Sequence, residues 1–199
     1  MKTTALIMVW SVVILCAVLF IIFEKKKISI RKLTVIGVLT AVSVAGRFVF
    51  APVPGFKPVT AIVIIAGMYM GMDGGFFCGA LTALISNFYF GQGPWTPFQI
   101  LVWGGIGVVS GVFAKQLKKS PVITLLWGAA SGVLFSLLMD IYTVLWTLGE
   151  WSFGFYLTAI GTAVPYTIIY AVSNIIFLLA LEKPFGRKIN RIVEKYGIV

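Results

Sequence analysis

Histidine is absent from this chain of 199 residues, and only six acidic side chains face sixteen lysines and arginines. Without an imidazole, the commonest metal ligand and the one base that titrates near neutrality are missing. The two cysteines, Cys16 and Cys78, fall inside apolar runs, where they read as small hydrophobes rather than a disulfide or metal pair. There is no glycine-rich phosphate loop with its lysine, no Ser/Lys pair and no carboxylate pair. The sequence therefore predicts no enzyme, no catalytic residue, no metal and no cofactor, and any ATP must be handled by another chain. Charged residues are also scarce, at 11%, where soluble proteins carry about a quarter.

Apolar residues make up 60% of the chain, and the mean hydropathy is +1.04. That composition belongs to an all-α integral membrane protein. At roughly 20 residues per span, the length holds six or seven helices and leaves little for any domain outside the bilayer. The first run, Leu6 to Phe23, is closed by "EKKK"; it is longer than a signal-peptide core and lacks a small-residue cleavage site, so it reads as a retained helix. Six more runs follow: Leu33 to Phe50, Val59 to Met72, Gly75 to Phe90, Phe98 to Ala114, Val122 to Leu148 and Pro165 to Leu181. The stretch from Gly149 to Val164 reads as a connection with a short interfacial helix, Pro165 starting the last span.

Basic residues orient these runs. Lys25, Lys26, Lys27, Arg31 and Lys32 precede the second run, Lys115, Lys118 and Lys119 follow the fifth, and Lys183, Arg187, Lys188, Arg191 and Lys195 follow the last. If the seven runs alternate, all three clusters share one side, which the positive-inside rule makes cytoplasmic. The N-terminus is then outside and the C-terminus inside a bacterial-type cytoplasmic membrane. The net charge of +10 is thus a topogenic signal toward the lipid bilayer and requires no nucleic acid.

Two ionisable residues lie within runs, Arg47 and Asp140, and such residues usually face a bundle interior or a wet cavity. At 100° per residue, Ser136, Asp140, Thr143 and Thr147 share a face of the sixth run, and Thr167, Tyr170 and Asn174 share one on the last. With Asn87 they outline a polar pocket opening outward, closed below by apolar half-helices. An Arg47–Asp140 ion pair, or interhelical hydrogen bonding by Ser136 and Asn174, would account for the same residues. Small residues form two stripes: Ala41 and Ala45 on the second run, and Gly75, Gly79 and Ala83 on the fourth. Both suit close helix packing, within the chain or against a partner.

The uncharged stretch "NFYFGQGPWTPFQ", Asn87 to Gln99, sits outside in this topology. Its glycines and prolines make either a tight helix-to-helix turn with Trp95 and Phe98 as interfacial anchors, or a rigid loop that would hold Gln92 and Trp95 over a pocket mouth.

From Lys32 to Lys195 the order of features resembles the substrate-binding S components of energy-coupling factor (ECF) vitamin transporters. The likeness rests on "AVSVAGRFVFAPVPGFKPVTAIVIIAGMYMG", "GALTALISNFYFGQGPWTPFQI" and "VPYTIIYAVSNIIF". It implies a six-helix bundle over 31–199 that holds one vitamin in an outward pocket, with residues 1–30 an extra helix and basic linker. It also implies partners: a transmembrane coupling subunit and two ABC ATPases, which use the ATP. The family's contact motif falls on Ala41 and Ala45, and its second small face on Gly75, Gly79 and Ala83. The substrate contacts implied here are Arg47, Lys57, Asn87, Gln92, Trp95, Gln99, Asp140, Thr143, Tyr170 and Asn174. The loop most resembles the cobalamin or corrinoid group, with folate, pantothenate, thiamine and queuosine precursors also open. The sequence departs from the family in the extra helix, and in "PYTIIYAVSN", where many members carry Asp and His. The competing reading is a solitary proton-coupled carrier using Asp140.

Overall fold

The computed structural model describes residues 3–24 and 28–197. The lysines at 25–27, part of the topogenic pattern, lie outside the described residues. Seven helices make up the fold: α1 (Thr3–Glu24), α2 (Ile30–Val49), α3 (Val59–Phe90), α4 (Trp95–Val112), α5 (Ala114–Lys119), α6 (Pro121–Leu148) and α7 (Phe153–Tyr196), with no strand among the described residues. Local chemistry sets several boundaries. The hydroxyls of Ser29, Ser120 and Ser152 accept from backbone amides in the first turns of α2, α6 and α7, satisfying donors that a helix start leaves open. Gly149 ends α6 in a left-handed conformation.

α3 is a hairpin of two helical arms. Gly71, at φ 80° and ψ −177°, breaks the helical backbone, a conformation natural only to glycine. A Cβ placed on either Gly67 or Gly75 would lie 2.3 Å from the same Gly107 carbonyl oxygen. Residues eight apart on a straight helix would be about 12 Å apart along its axis, so the chain doubles back. The two expected runs, Val59 to Met72 and Gly75 to Phe90, are these arms, with the reversal at Gly71.

α7 departs from the expectation at both ends. Pro165 does not start it: the Ser152 cap begins the helix at Phe153, and both Pro165 and Pro184 lie inside. At 44 residues it is about 66 Å long, longer than a bilayer is thick. Pro165 lacks an N–H for the carbonyl four residues back, and Gly161 occupies that position, but the flanking turns carry the helix across.

One end of the bundle gathers members of the first two basic clusters beside the C-terminal end of α7. Lys32 pairs with Asp73 at 2.7 Å beside the hairpin tip, Lys118 lies 4.6 Å from the Tyr69 ring centroid, and Arg31 donates to the Tyr196 carbonyl at 3.0 Å. Tyr69 donates to Glu182 at 2.7 Å, which ties α7 to the hairpin. Burial lowers the Lys118 pKa on short α5. α1 packs on the hairpin and α4, through edge-on contacts of Phe20 with Phe76 and Phe77 and a Cys16 Sγ contact of 3.5 Å to the Pro97 carbonyl.

The second small-residue stripe is used internally. A Cβ on Gly79 would meet the Trp103 backbone at 2.6 Å, one on Gly75 would meet the Gly107 backbone, and Ala83 is fully buried. This corrects the expectation that Gly75, Gly79 and Ala83 face a partner: α4 already fills that face, since glycine-to-glycine approach gives a polar backbone its closest apolar packing. Ala41 and Ala45 are exposed on α2.

Candidate functional site

The polar residues of the opposite end converge where α2, the α3 hairpin and α4 meet. Arg47, near the C-terminus of α2, donates to the Ser86 hydroxyl and to the Asn87 side-chain oxygen at 2.9 Å. Asn87 is fully buried; its amide donates to Thr96 at 3.0 Å and Gln99 at 2.8 Å. Asn87 thereby reads both ways, accepting from a cation and donating to α4. A buried network of this kind is rigid because each polar group finds a partner that water would otherwise supply.

Aromatic rings enclose the cations. The Arg47 guanidinium lies 4.7 Å from the Phe90 centroid and 5.3 Å from that of Trp103. Lys57 approaches from the loop between α2 and α3. Its backbone is clamped to α7 by one hydroxyl, Ser173, which accepts from the Lys57 N–H at 2.9 Å and donates to its carbonyl at 3.1 Å. The ammonium then stands 5.0 Å from the Tyr170 ring, 5.8 Å from Phe135 and 5.9 Å from Trp103, all within cation–π range. Burial, reinforced by the positive charge of Arg47, pushes this loop lysine down to about 7. Trp103 and Phe135 stack at 4.9 Å with 19° between planes, and the Trp103 indole donates to Thr60 at 3.2 Å.

The structure thus brings together Arg47, Lys57, Asn87, Gln99 and Tyr170 from the expected set. It does not bring the others with them. Gln92 braces its own loop, donating to the Leu84 carbonyl and accepting from Thr96. Trp95 belongs to the first turn of α4, and its ring lies over Gly93, so that a Cβ there would sit 2.3 Å from it. The expected lid is therefore a folded corner whose side chains hold it shut. Asn174 is buried and donates to the Gly128 carbonyl at 2.9 Å, an α6–α7 bond. Ser136 and Thr167 pair hydroxyl to hydroxyl at 2.6 Å. Thr143 is exposed and bonds its own helix at Met139. Asp140 and Thr143 line a surface groove of about 490 Å³ against Phe155, Thr162 and Tyr166; the alternative of an Arg47–Asp140 ion pair is not met among the described residues.

Sequence reasoning missed Ser86, Thr96, Trp103, Phe135 and Ser173. Some had a signal: Trp103 lies four residues after Gln99, one turn along the same face, and Ser86 adjoins Asn87. Ser173 had none, because its role is to hold the backbone of a residue 116 positions away.

The described residues thus form a membrane-type helical bundle with a cluster of donors, cations and rings at one end. The model of the ECF-type riboflavin transporter S component matches residues 27–183, more than three quarters of the chain. The protein belongs to this family of membrane-embedded substrate-binding subunits, which work with ECF coupling and ATPase subunits. The family description names riboflavin where the loop had suggested a corrinoid. No curated protein matches the chain, and no solved structure matches it.

Proposed function

We propose that this chain captures a flat, flavin-type heterocycle at the end of the bundle that carries Arg47 and Lys57, and delivers it to an ATP-driven coupling module. The observation that carries the reading is the junction of two surfaces. One is a wall of rings, Trp103 stacked on Phe135 with Tyr170 edge-on at 5.4 Å. The other is the Arg47–Asn87–Gln99 row of donors and acceptors. Trp103 and Phe135 are themselves buried, so a planar ring system would extend the cluster through the half-buried Tyr170 ring, while its alternating carbonyl and N–H edge suits the row. A corrinoid, bulky and ringed by amides, gains less from a flat aromatic wall.

In this reading the Arg47 end faces outside, the basic end faces the cytoplasm, and the N-terminus is outside with the C-terminus inside. The coupling subunit docks on the exposed Ala41 and Ala45 of α2. Beside them runs an apolar groove of about 690 Å³ lined by Val38, Val42, Phe185 and Ile189, which admits a partner helix closely. The two ATPase subunits use the ATP.

Calorimetry on the purified protein with riboflavin and with cobalamin tests the ligand. Saturable one-to-one riboflavin binding without ATP is expected. A cobalamin response alone would move the chain to the corrinoid group. No response to either, with uptake that collapses with the proton gradient in cells lacking the ATPases, would instead favour a carrier working through Asp140.

A further inference from the structure

Arg47 and Lys57 stand together among rings with no carboxylate in ion-pair range. Among the described residues, the one salt bridge is Lys32–Asp73 at the far end, and Glu182 is engaged by Tyr69 there. The groups that face the two cations are the hydroxyls and amides of Ser86, Asn87 and Tyr170, with Asp140 and Tyr166 close enough to interact electrostatically with Tyr170. Cations removed from water and left without a counter-ion are costly. The bundle nonetheless fixes both: Ser173 holds the Lys57 backbone from both sides, and Ser86 and Asn87 orient Arg47. Rings contribute cation–π attraction but no charge.

We infer that the ligand carries an anionic substituent, a phosphate monoester or a carboxylate, seated between Arg47 and Lys57. This rests on the preceding reading of the site and adds the charge of its ligand. The heterocycle meets the half-buried Tyr170 beside the buried Trp103–Phe135 stack, and its acidic arm supplies the missing negative charge. A phosphate offers several acceptors, matching the planar fork of Arg47 and the point charge of Lys57. The lowered Lys57 pKa has a consequence: empty, the site sheds part of its charge near neutrality, and an anion restores it, so binding above pH 7 takes up a proton.

The test compares riboflavin, riboflavin 5′-phosphate and folate by calorimetry at pH 6.5 and pH 8.5, in buffers of different ionisation enthalpy. These ligands supply a neutral flavin, a phosphorylated flavin and a carboxylated heterocycle, so they separate the two sources of charge. One acidic ligand should bind tighter than riboflavin by on the order of tenfold or more. Its advantage should shrink at pH 8.5, with proton uptake. The preference should vanish in Lys57→Gln and persist in Lys57→Arg; if the first variant fails to fold, the wild-type proton uptake carries the test. Riboflavin binding as tightly as both acids, with no proton uptake, overturns the anion while leaving the flavin reading intact. Folate binding without either flavin would do the reverse.

Discussion

Replacing Gly75 by alanine asks whether this stripe is internal packing. The added Cβ would lie 2.3, 2.5 and 2.8 Å from the Gly107 carbonyl oxygen, carbonyl carbon and Cα, where ordinary contact begins at 3.4 Å. All three are backbone atoms, so α3 and α4 must part by about 1 Å, since no side chain can turn aside. Overpacking of this size costs about 1–3 kcal/mol. A glycine-to-alanine change in a helix also gains up to about 1 kcal/mol of propensity, which would blur a comparison with wild type. Gly105→Ala removes that ambiguity: Gly105 also lies inside a helix, α4, and its Cβ would meet nothing within 4 Å. The propensity gain is common to both variants and cancels, leaving the steric term. For a chain of this size it corresponds to a melting temperature about 2–12 °C lower for Gly75→Ala than for Gly105→Ala. Intrinsic-fluorescence unfolding of the detergent-purified variants reads it directly. Melting temperatures within about 1 °C of each other would refute the internal contact and return Gly75 to the candidates for a partner surface.

Other consequences are equally open to measurement. Ala41→Leu with Ala45→Leu should abolish transport and copurification of the coupling subunit while changing ligand affinity less than about threefold, or about 0.6 kcal/mol; loss of ligand binding in the folded double variant would place these alanines at the pocket instead. Asn87→Ala leaves Arg47, Thr96 and Gln99 each short of a partner and should weaken ligand binding by about 1–3 kcal/mol; calorimetry showing unchanged affinity would remove Asn87 from the site. Lys57 binds fewer protons folded than unfolded between its lowered pKa of about 7 and its ordinary 10.5, so apo-protein stability should rise with pH across that window. The rise, measured as the difference from Lys57→Met, should be absent if the ammonium is not desolvated. Cysteines introduced at Thr3 and Gly197 should be labelled from opposite faces of the membrane, and labelling from one face would reverse the proposed seven-crossing topology.

That the chain is an all-helical, multi-pass membrane protein was legible in the sequence because hydrophobicity is local: a run of some 20 apolar residues identifies itself without reference to the rest of the chain. The hairpin arms of α3 were visible for that reason, and so were Arg47 and Asn87, since polar side chains inside apolar runs stand out individually. What a small or polar residue touches is not local. The stripe of Gly75, Gly79 and Ala83 reads the same whether α4 or another protein covers it, and only the packed bundle shows α4 there. Asn174 and Asn87 are alike on paper, yet one bonds a backbone carbonyl between helices and the other mediates between a cation and two side chains. The site itself depended on tertiary structure most of all. Lys57 belongs to a loop, Trp103 and Phe135 to different helices, and Ser173 to a fourth segment that holds the lysine in place. Their meeting is set by how the helices pack and where the chain turns at Gly71, a long-range outcome that no spacing within a single run encodes.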